Sequence, residues 1–241
     1  MTAGQRRAAK PPLGRVEILA SALALIDRDG VAALSLRVLA KELGVFPTAI
    51  YWHVPSRNDL IAGAVALALE GVGARLPGGS WQQRLRGLLK RFRAAVQRHP
   101  KLAPVIGSEL ISNSPLDLPI LEHLVVALED AGFDGMGLVD AFNVVVAAMC
   151  GFVTLELAAP PAENAEAWAE SHAAHLDAVP PRAFPALARH LPRLRDRAFI
   201  LRWTSGAARP MDSAFEAWLD VVIGGLERRA EDLDSAVPKS H

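Results

Sequence analysis

Three side chains in a row, Tyr51, Trp52 and His53, close the segment LSLRVLAKELGVFPTAIYWHV that begins at Leu34. Each offers a hydrogen-bond donor on a flat ring, and Tyr51 is the only tyrosine in the chain. Just before them stand Pro47, Thr48 and Ala49, small residues able to approach a surface closely. Ile50 takes the inward face of so short a helix, so its neighbours cannot all be core. Rings with polar tips suit phosphate oxygens beside a DNA groove. A Thr or Ala methyl suits the methyl of thymine, and a Thr hydroxyl can serve either hydrogen-bonding partner. The competing reading has the aromatics packing on the following helix.

Other constellations are weaker. His172 and His175 are spaced i, i+3 near Glu166 and Glu170, so one helix face could present two imidazoles to a metal. Such side chains are also ordinary on a solvated face, and metal binding there is left open. Elsewhere neither Asp140 nor Glu156 has a partner at metal spacing, so no metal or cofactor is expected. Cys150 is the single cysteine and lies in an apolar run, where a thiol behaves as a small hydrophobe. Gly71-Val72-Gly73 is too short for a phosphate loop. No nucleophile–base set is evident, so an enzyme is not expected.

These residues need a scaffold, and the periodicity supplies a helical one. Ser35 caps a helix predicted to run through Leu43. Gly44 makes a tight turn, where a positive φ suits glycine, and a second short helix runs from Pro47 to His53. This is a helix-turn-helix. Ala40 is small enough to let the two cross closely. Leu39, Leu43, Val45 and Ile50 share a core with the preceding helix, whose stripe is Val16, Leu19, Ala20, Leu23 and Ile26. Gly30 is read as its left-handed stop. Further stripes run through Leu85, Leu88, Leu89, Phe92 and Val96, and through Phe215, Trp218, Leu219, Val222, Ile223 and Leu226. Ser80-Trp81-Gln82-Gln83 is a capping box. Ser56 to Asp59 is a weaker one, and Ser114-Pro115 opens another helix. Asp134 and Asp212 are candidate caps. Residues 160–210, rich in Ala, Pro, Arg and His, are expected to form a mobile or irregular helical segment. No strand pattern appears, and the fold class is all-α.

The chain of 241 residues is half apolar (51 %) and carries 26 basic and 26 acidic groups. The apolar fraction excludes a disordered chain. Zero net charge argues against a general polyanion binder, but the charge is not evenly spread. Residues 1–60 hold eight basic side chains (Arg6, Arg7, Lys10, Arg15, Arg28, Arg37, Lys41, Arg57) against five acidic ones, and the remainder holds 18 against 21. The N-terminal end is therefore the anion-facing one. One cysteine excludes an internal disulfide framework. No secretory signal is read at the N-terminus. The longest apolar run, Val144 to Leu155, falls short of the ~20 residues of a membrane span. A cytoplasmic protein without a membrane partner is expected.

The pattern L-S-L-R-V-L-A-K-E-L-G-V followed by A-I-Y-W-H-V, and then a helix started by Ser56 and Arg57, resembles the N-terminal domain of the tetracycline-repressor (TetR) family of bacterial transcription regulators. The YWHV tetrapeptide is similar to the tetracycline-repressor branch. So, more weakly, are Ser80-Trp81-Gln82, Phe92-Arg93, Ala131-Gly132-Phe133 and Phe215 to Glu227. The resemblance spans roughly residues 14–229 and implies a basic arm (1–12), a DNA-binding domain (13–58), an effector-binding and dimerisation domain (59–230) and a tail (231–241). It implies DNA contacts at Arg37, Tyr51, Trp52, His53 and Arg57, beside Pro47, Thr48 and Ala49. These last three depart from the tetracycline repressor's own first turn, so a different operator is expected. The arm, with Arg6, Arg7 and Lys10, is either a tail or a minor-groove contact.

The resemblance also implies a ligand cavity and a homodimer. Cavity candidates are Trp81, Phe92, Ile106, Phe142 and Met149. Leu88 and Val105 or Ile106 stand where polar drug- and metal-binding residues would be, so a mainly apolar effector is favoured. The helix after Leu138 and the last helix are apolar on two faces and need burial on two sides. Val146, Val153, Trp218 and Val222 are the interface candidates. The expected function is a ligand-responsive repressor released from a palindromic operator. The alternative is a helical ligand-binding protein or enzyme with no DNA role.

Overall fold

A computed structural model describes residues 13–74, 78–112, 118–161 and 163–236. The fold is all-α, with no strand among the described residues. The basic arm and the Ser114-Pro115 start lie outside them.

Four helices form the N-terminal unit: α1 (Arg15–Asp29), α2 (Leu36–Leu43), α3 (Pro47–Tyr51) and α4 (Arg57–Ala68). Ile18, Ala22 and Ile26 of α1 are buried against Leu39 and Ala40 of α2, Ile50 of α3, and Leu60 and Ala64 of α4. Helix α4 crosses α1 so closely that a Cβ at Gly63 would collide with the Leu19 side chain. This crossing makes α4 part of the small unit's core as well as its link onward. Gly30 has the positive φ expected of it, 86°, but its ψ of 165° is extended rather than left-handed helical.

The body comprises α5 (Trp81–Arg98), α6 (Ala103–Ser112), α7 (Leu118–Asp130), α8 (Gly135–Glu156), α9 (Ala165–Asp177), α10 (Pro185–Leu194) and α11 (Asp212–Ala236). The capping box at Ser80 forms in both directions, with Gln83 as its partner. Residues 160–210, expected to be a mobile or irregular helical segment, contain the helices α9 and α10. Pro185 sits at the start of α10, where a missing N–H costs nothing. Asp134 occupies the N-cap of α8 without a side-chain bond. Asp212 is the first residue of α11, and its carboxylate turns to Arg93, 2.8 Å away.

One polar pair sits inside this apolar body. Glu156, at the end of α8, has no exposed surface. It accepts from Arg93 Nε at 2.9 Å and Nη2 at 2.5 Å, and from the backbone N–H of Met211 at 3.0 Å. Its own carbonyl accepts from the Gly206 N–H at 2.6 Å and from Arg202. The Arg93 guanidinium also lies 4.5 Å from the centre of the Phe215 ring. Burial works against the charge of Arg93, but its hydrogen bonds to Glu156 and Asp212 outweigh it and raise its pKa. A bidentate pair with every partner in place holds α5, α8 and the start of α11 together.

The small unit is tied to the body by more than α4. His99 Nδ1, after α5, lies 2.8 Å from Asp27 Oδ2 on α1. Lys101 Nζ donates to the Arg28 carbonyl at 2.5 Å. Removing Glu156 leaves the buried Arg93 with only the exposed Asp212 carboxylate as its ionic partner, a change that costs about 3 kcal/mol. Glu156→Ala is expected to lower the urea midpoint by a corresponding amount. Asp212→Ala, at a carboxylate that is largely exposed, is expected to lower it far less.

Candidate nucleic-acid interface and ligand cavities

Helices α2 and α3 build the candidate interface. The Ser35 hydroxyl accepts from the Val38 N–H at 3.2 Å and starts α2. Gly44 stops it in the left-handed conformation, φ 69° and ψ 32°, as its position in the sequence predicts. The Val45 N–H then returns to the Ala40 carbonyl at 3.0 Å. Helix α3 is only five residues long, and Ile50 is its one buried side chain. It ends at Tyr51, and Trp52 and His53 lie in the turn that follows, where the Val54 N–H reaches the Ile50 carbonyl at 2.8 Å. Buried Val54 pins that turn.

The aromatic residues are not buried. Tyr51 is 51 % exposed and Trp52 88 % exposed. His53, Thr48 and Arg37 are exposed, while Pro47 and Ala49 are half-buried. Arg37 and Lys41 make no hydrogen bond or ion pair in the described structure, so their charges face solvent unneutralised. Arg28 differs, being paired with Asp29 and Glu42, which raise its pKa. Arg57 differs too. Its guanidinium donates to the Leu34 carbonyl at 2.8 Å and to the Val31 carbonyl at 2.7 Å. It fastens the α1–α2 connection to α4, a role that spacing alone did not reveal. The sequence reading also passed over Phe46, which precedes α3 and is 83 % exposed. The signal was available, because an apolar ring stands between the turn and a helix that opens on proline.

The five cavity candidates are not brought together. Phe92 and Ile106 are fully buried in the core and Met149 nearly so, and half-buried Phe142 packs against the same core. These four belong to or pack on the common hydrophobic core. Trp81 alone lines an open groove, of about 620 Å³, with Gln82, Asp134, Glu227 and Glu231. A smaller cavity of about 180 Å³ lies elsewhere, at the end of α8, lined by Leu155, Trp168, His172, Phe199 and Trp203. In its wall His172 stacks on Trp168 with ring centres 5.3 Å apart. His175 instead contacts the Ser171 carbonyl at 2.6 Å. The two imidazoles share no metal geometry, and no cluster of three or more metal-ligating side chains occurs among the described residues.

The interface candidates also divide. Val153 is buried within its own subunit, because it shares the inward stripe of Ala141, Val145, Met149 and Phe152. Trp218 is half-buried, stacked on Phe215. Val146 and Val222 are likewise half-buried. The open face of α8 carries Val144, Ala147, Gly151 and Leu155, and that of α11 carries Ala217, Val221 and Gly225. By length and composition α8 is apolar enough to cross a membrane. Counting only the unbroken apolar run missed this, since Asp140 and Asn143 interrupt the run without lowering the average much. Its inward stripe and the Glu156 ion pair are those of a helix packed in a protein core.

Residues 18–64 match the family described as bacterial regulatory proteins, tetR family, and residues 74–230 match the tetracyclin repressor-like C-terminal domain. The chain belongs to the TetR family. An HTH-type transcriptional regulator of Saccharopolyspora erythraea is 33 % identical over 152 residues, which cover 61 % of this chain and 62 % of that protein. The chain thus spans about three fifths of the length of that curated relative. Among solved structures, the TetR family protein ActR of Streptomyces coelicolor in complex with actinorhodin is 22 % identical. It superposes with a TM-score of 0.68 over 90 % of this chain and 96 % of ActR. BioQ with its double-stranded DNA operator is 26 % identical, with a TM-score of 0.56 over 60 % of this chain and 86 % of BioQ.

Two measurements separate the roles within this TetR family member. Arg57→Ala is expected to reduce stability by about 1–2 kcal/mol through its two lost carbonyl bonds, whereas Arg37→Ala leaves the melting temperature unchanged. Burial pushes the Cys150 thiol up to about 11, so at neutral pH its alkylation should run on the order of 100-fold slower than that of a free cysteine.

Proposed function

We propose that the chain is a ligand-responsive repressor that binds a palindromic operator as a homodimer in the cytoplasm. The observation that carries the reading is α3 itself. It buries one side chain, Ile50, and leaves Tyr51 and Trp52 in water beside the unneutralised Arg37 and Lys41. Exposed aromatics with polar tips are costly unless a partner covers them, and the chemistry of these suits phosphate oxygens flanking a major groove. Pro47, Thr48 and Ala49 then face base edges, and His53 adds a further donor to the backbone. Arg57 acts by supporting this surface from behind. BioQ, solved on its operator, supports the same use of the fold.

The open faces of α8 and α11 support a homodimer. Val144 is 53 % exposed and Val221 74 % exposed, on stripes where Ala147, Gly151, Ala217 and Gly225 let a second copy approach and Leu155 adds apolar surface. Burying them against the same helices of a partner gives a two-fold interface and sets two copies of α3 about one DNA turn, roughly 34 Å, apart. An effector acts by favouring a dimer in which that spacing is lost, and its leverage equals its differential affinity for the two states. Apolar cavity walls suit a mainly apolar effector, and the ActR–actinorhodin complex supports a small molecule in this role.

Arg37→Ala and Tyr51→Ala are each expected to weaken operator binding roughly 10- to 100-fold in a gel shift while folding normally. Full retention of the operator by both would contradict the reading. Val144→Asp is expected to give a monomer in sedimentation at micromolar concentration, with loss of binding to the two half-sites together.

A further inference from the structure

The first turn of α3 has an unusual chemical character. Phe46 caps the helix with an extended backbone, φ −74° and ψ 145°, and makes no side-chain cap bond. Its ring is 83 % exposed. Pro47 at the first helical position has no N–H, and Ala49 has only a methyl. Thr48 is the one side chain in this turn that can form a hydrogen bond. The Phe46 ring is not part of the hydrophobic core that contains Ile50 and Val54, and most of its surface faces water in the free protein. A bare phenyl at this exposure calls for an apolar contact in the bound state.

A base edge offers few such contacts. In the major groove, guanine, cytosine and adenine present only hydrogen-bond donors and acceptors, and the C5-methyl of thymine is the one apolar group. Resting on the reading of α3 as the DNA-facing helix, we propose that Phe46 is a specificity-determining residue that reads the methyl group of a thymine in each operator half-site. The ring covers the methyl and excludes water from it, so recognition at that base pair is by apolar contact and not by a hydrogen bond. Pro47 and Ala49 keep the rest of the turn low enough for the ring to reach the groove floor. The operator is therefore expected to hold a fixed thymine in each half, at the base pair nearest the start of α3.

Replacing thymine with deoxyuridine removes this methyl and nothing else, and leaves base pairing intact. The test uses the full chain and an operator obtained by selection from random duplex DNA. Each thymine of the half-site is changed in turn to deoxyuridine, and affinities are measured for the wild type, Phe46→Ala and Phe46→Leu. At one position the wild type should lose roughly fourfold per half-site, the worth of one buried methyl-sized group, and about 15-fold when both halves are changed. Phe46→Ala should bind the thymine and deoxyuridine sites equally, while keeping its unfolding midpoint. Phe46→Leu should retain most of the discrimination. A flat deoxyuridine scan would overturn the assignment. So would a sensitive thymine whose effect survives in Phe46→Ala, because that assigns the methyl to Thr48 or Ala49. Failure to select any site at all would instead remove the DNA-binding reading on which this inference rests.

Discussion

A carboxylate with no path to solvent governs how the larger domain is put together. Glu156 ends a helix that is otherwise almost wholly apolar, and a charge there is tolerable only if it is fully paired. Arg93 supplies two hydrogen bonds from α5 and Gln97 a longer third, Met211 adds a backbone N–H from the approach to α11, and Gly206 and Arg202 occupy the carbonyl. At Gly206 the backbone comes so close that a Cβ would strike Glu156. A hydrophobic contact could slide; this set of directional bonds cannot. Helices α5, α8 and α11 are thereby held in one register, and the outward stripes of α8 and α11 are presented side by side.

That body is joined to the small unit by defined contacts. Helix α4 interlocks with α1 at Gly63 and Leu19, so the two must move together. His99 and Lys101 grip the last turn of α1 through Asp27 and the Arg28 carbonyl. Helix α3 has no comparable anchor of its own beyond Ile50 and Val54. It follows the unit that carries it, which suits a reading element whose position is set by the body while its exposed face remains free for a partner.

Much of this was legible in the sequence because it is local. Ser35, Gly44 and the Ser80 capping box each act within a few residues, and the structure follows them; of the stripe expected on α1, Leu19, Leu23 and Ile26 are buried, but Val16 and Ala20 are exposed and Ile18, Ala22 and Leu25 face inward instead. The exposed Tyr51 and Trp52 could be anticipated because a five-residue helix has room for only one inward side chain. Non-local contacts were less accessible. Arg57 looks like a free cation until the chain folds Leu34 and Val31 back onto it. Asp212 looks like a cap until Arg93 arrives from 119 positions earlier. Glu156 could have been flagged as a charge in an apolar helix, but its partner could not be named. The cavity residues were least legible, since apolar side chains that fill a core and those that line a pocket are the same types. Phe92 and Ile106 are buried in the core, whereas Trp168 and Trp203 line a cavity in a segment that read as irregularly helical.

The central claim is that the face of α3 reads DNA as one of a symmetric pair. Selection of genomic fragments by the purified full-length chain, followed by sequencing, tests it most directly. The account expects a discrete inverted repeat whose half-site centres lie about one helical turn, roughly 34 Å, apart. Enrichment of no sequence above the bulk genome, or of a single unpaired half-site, would contradict it.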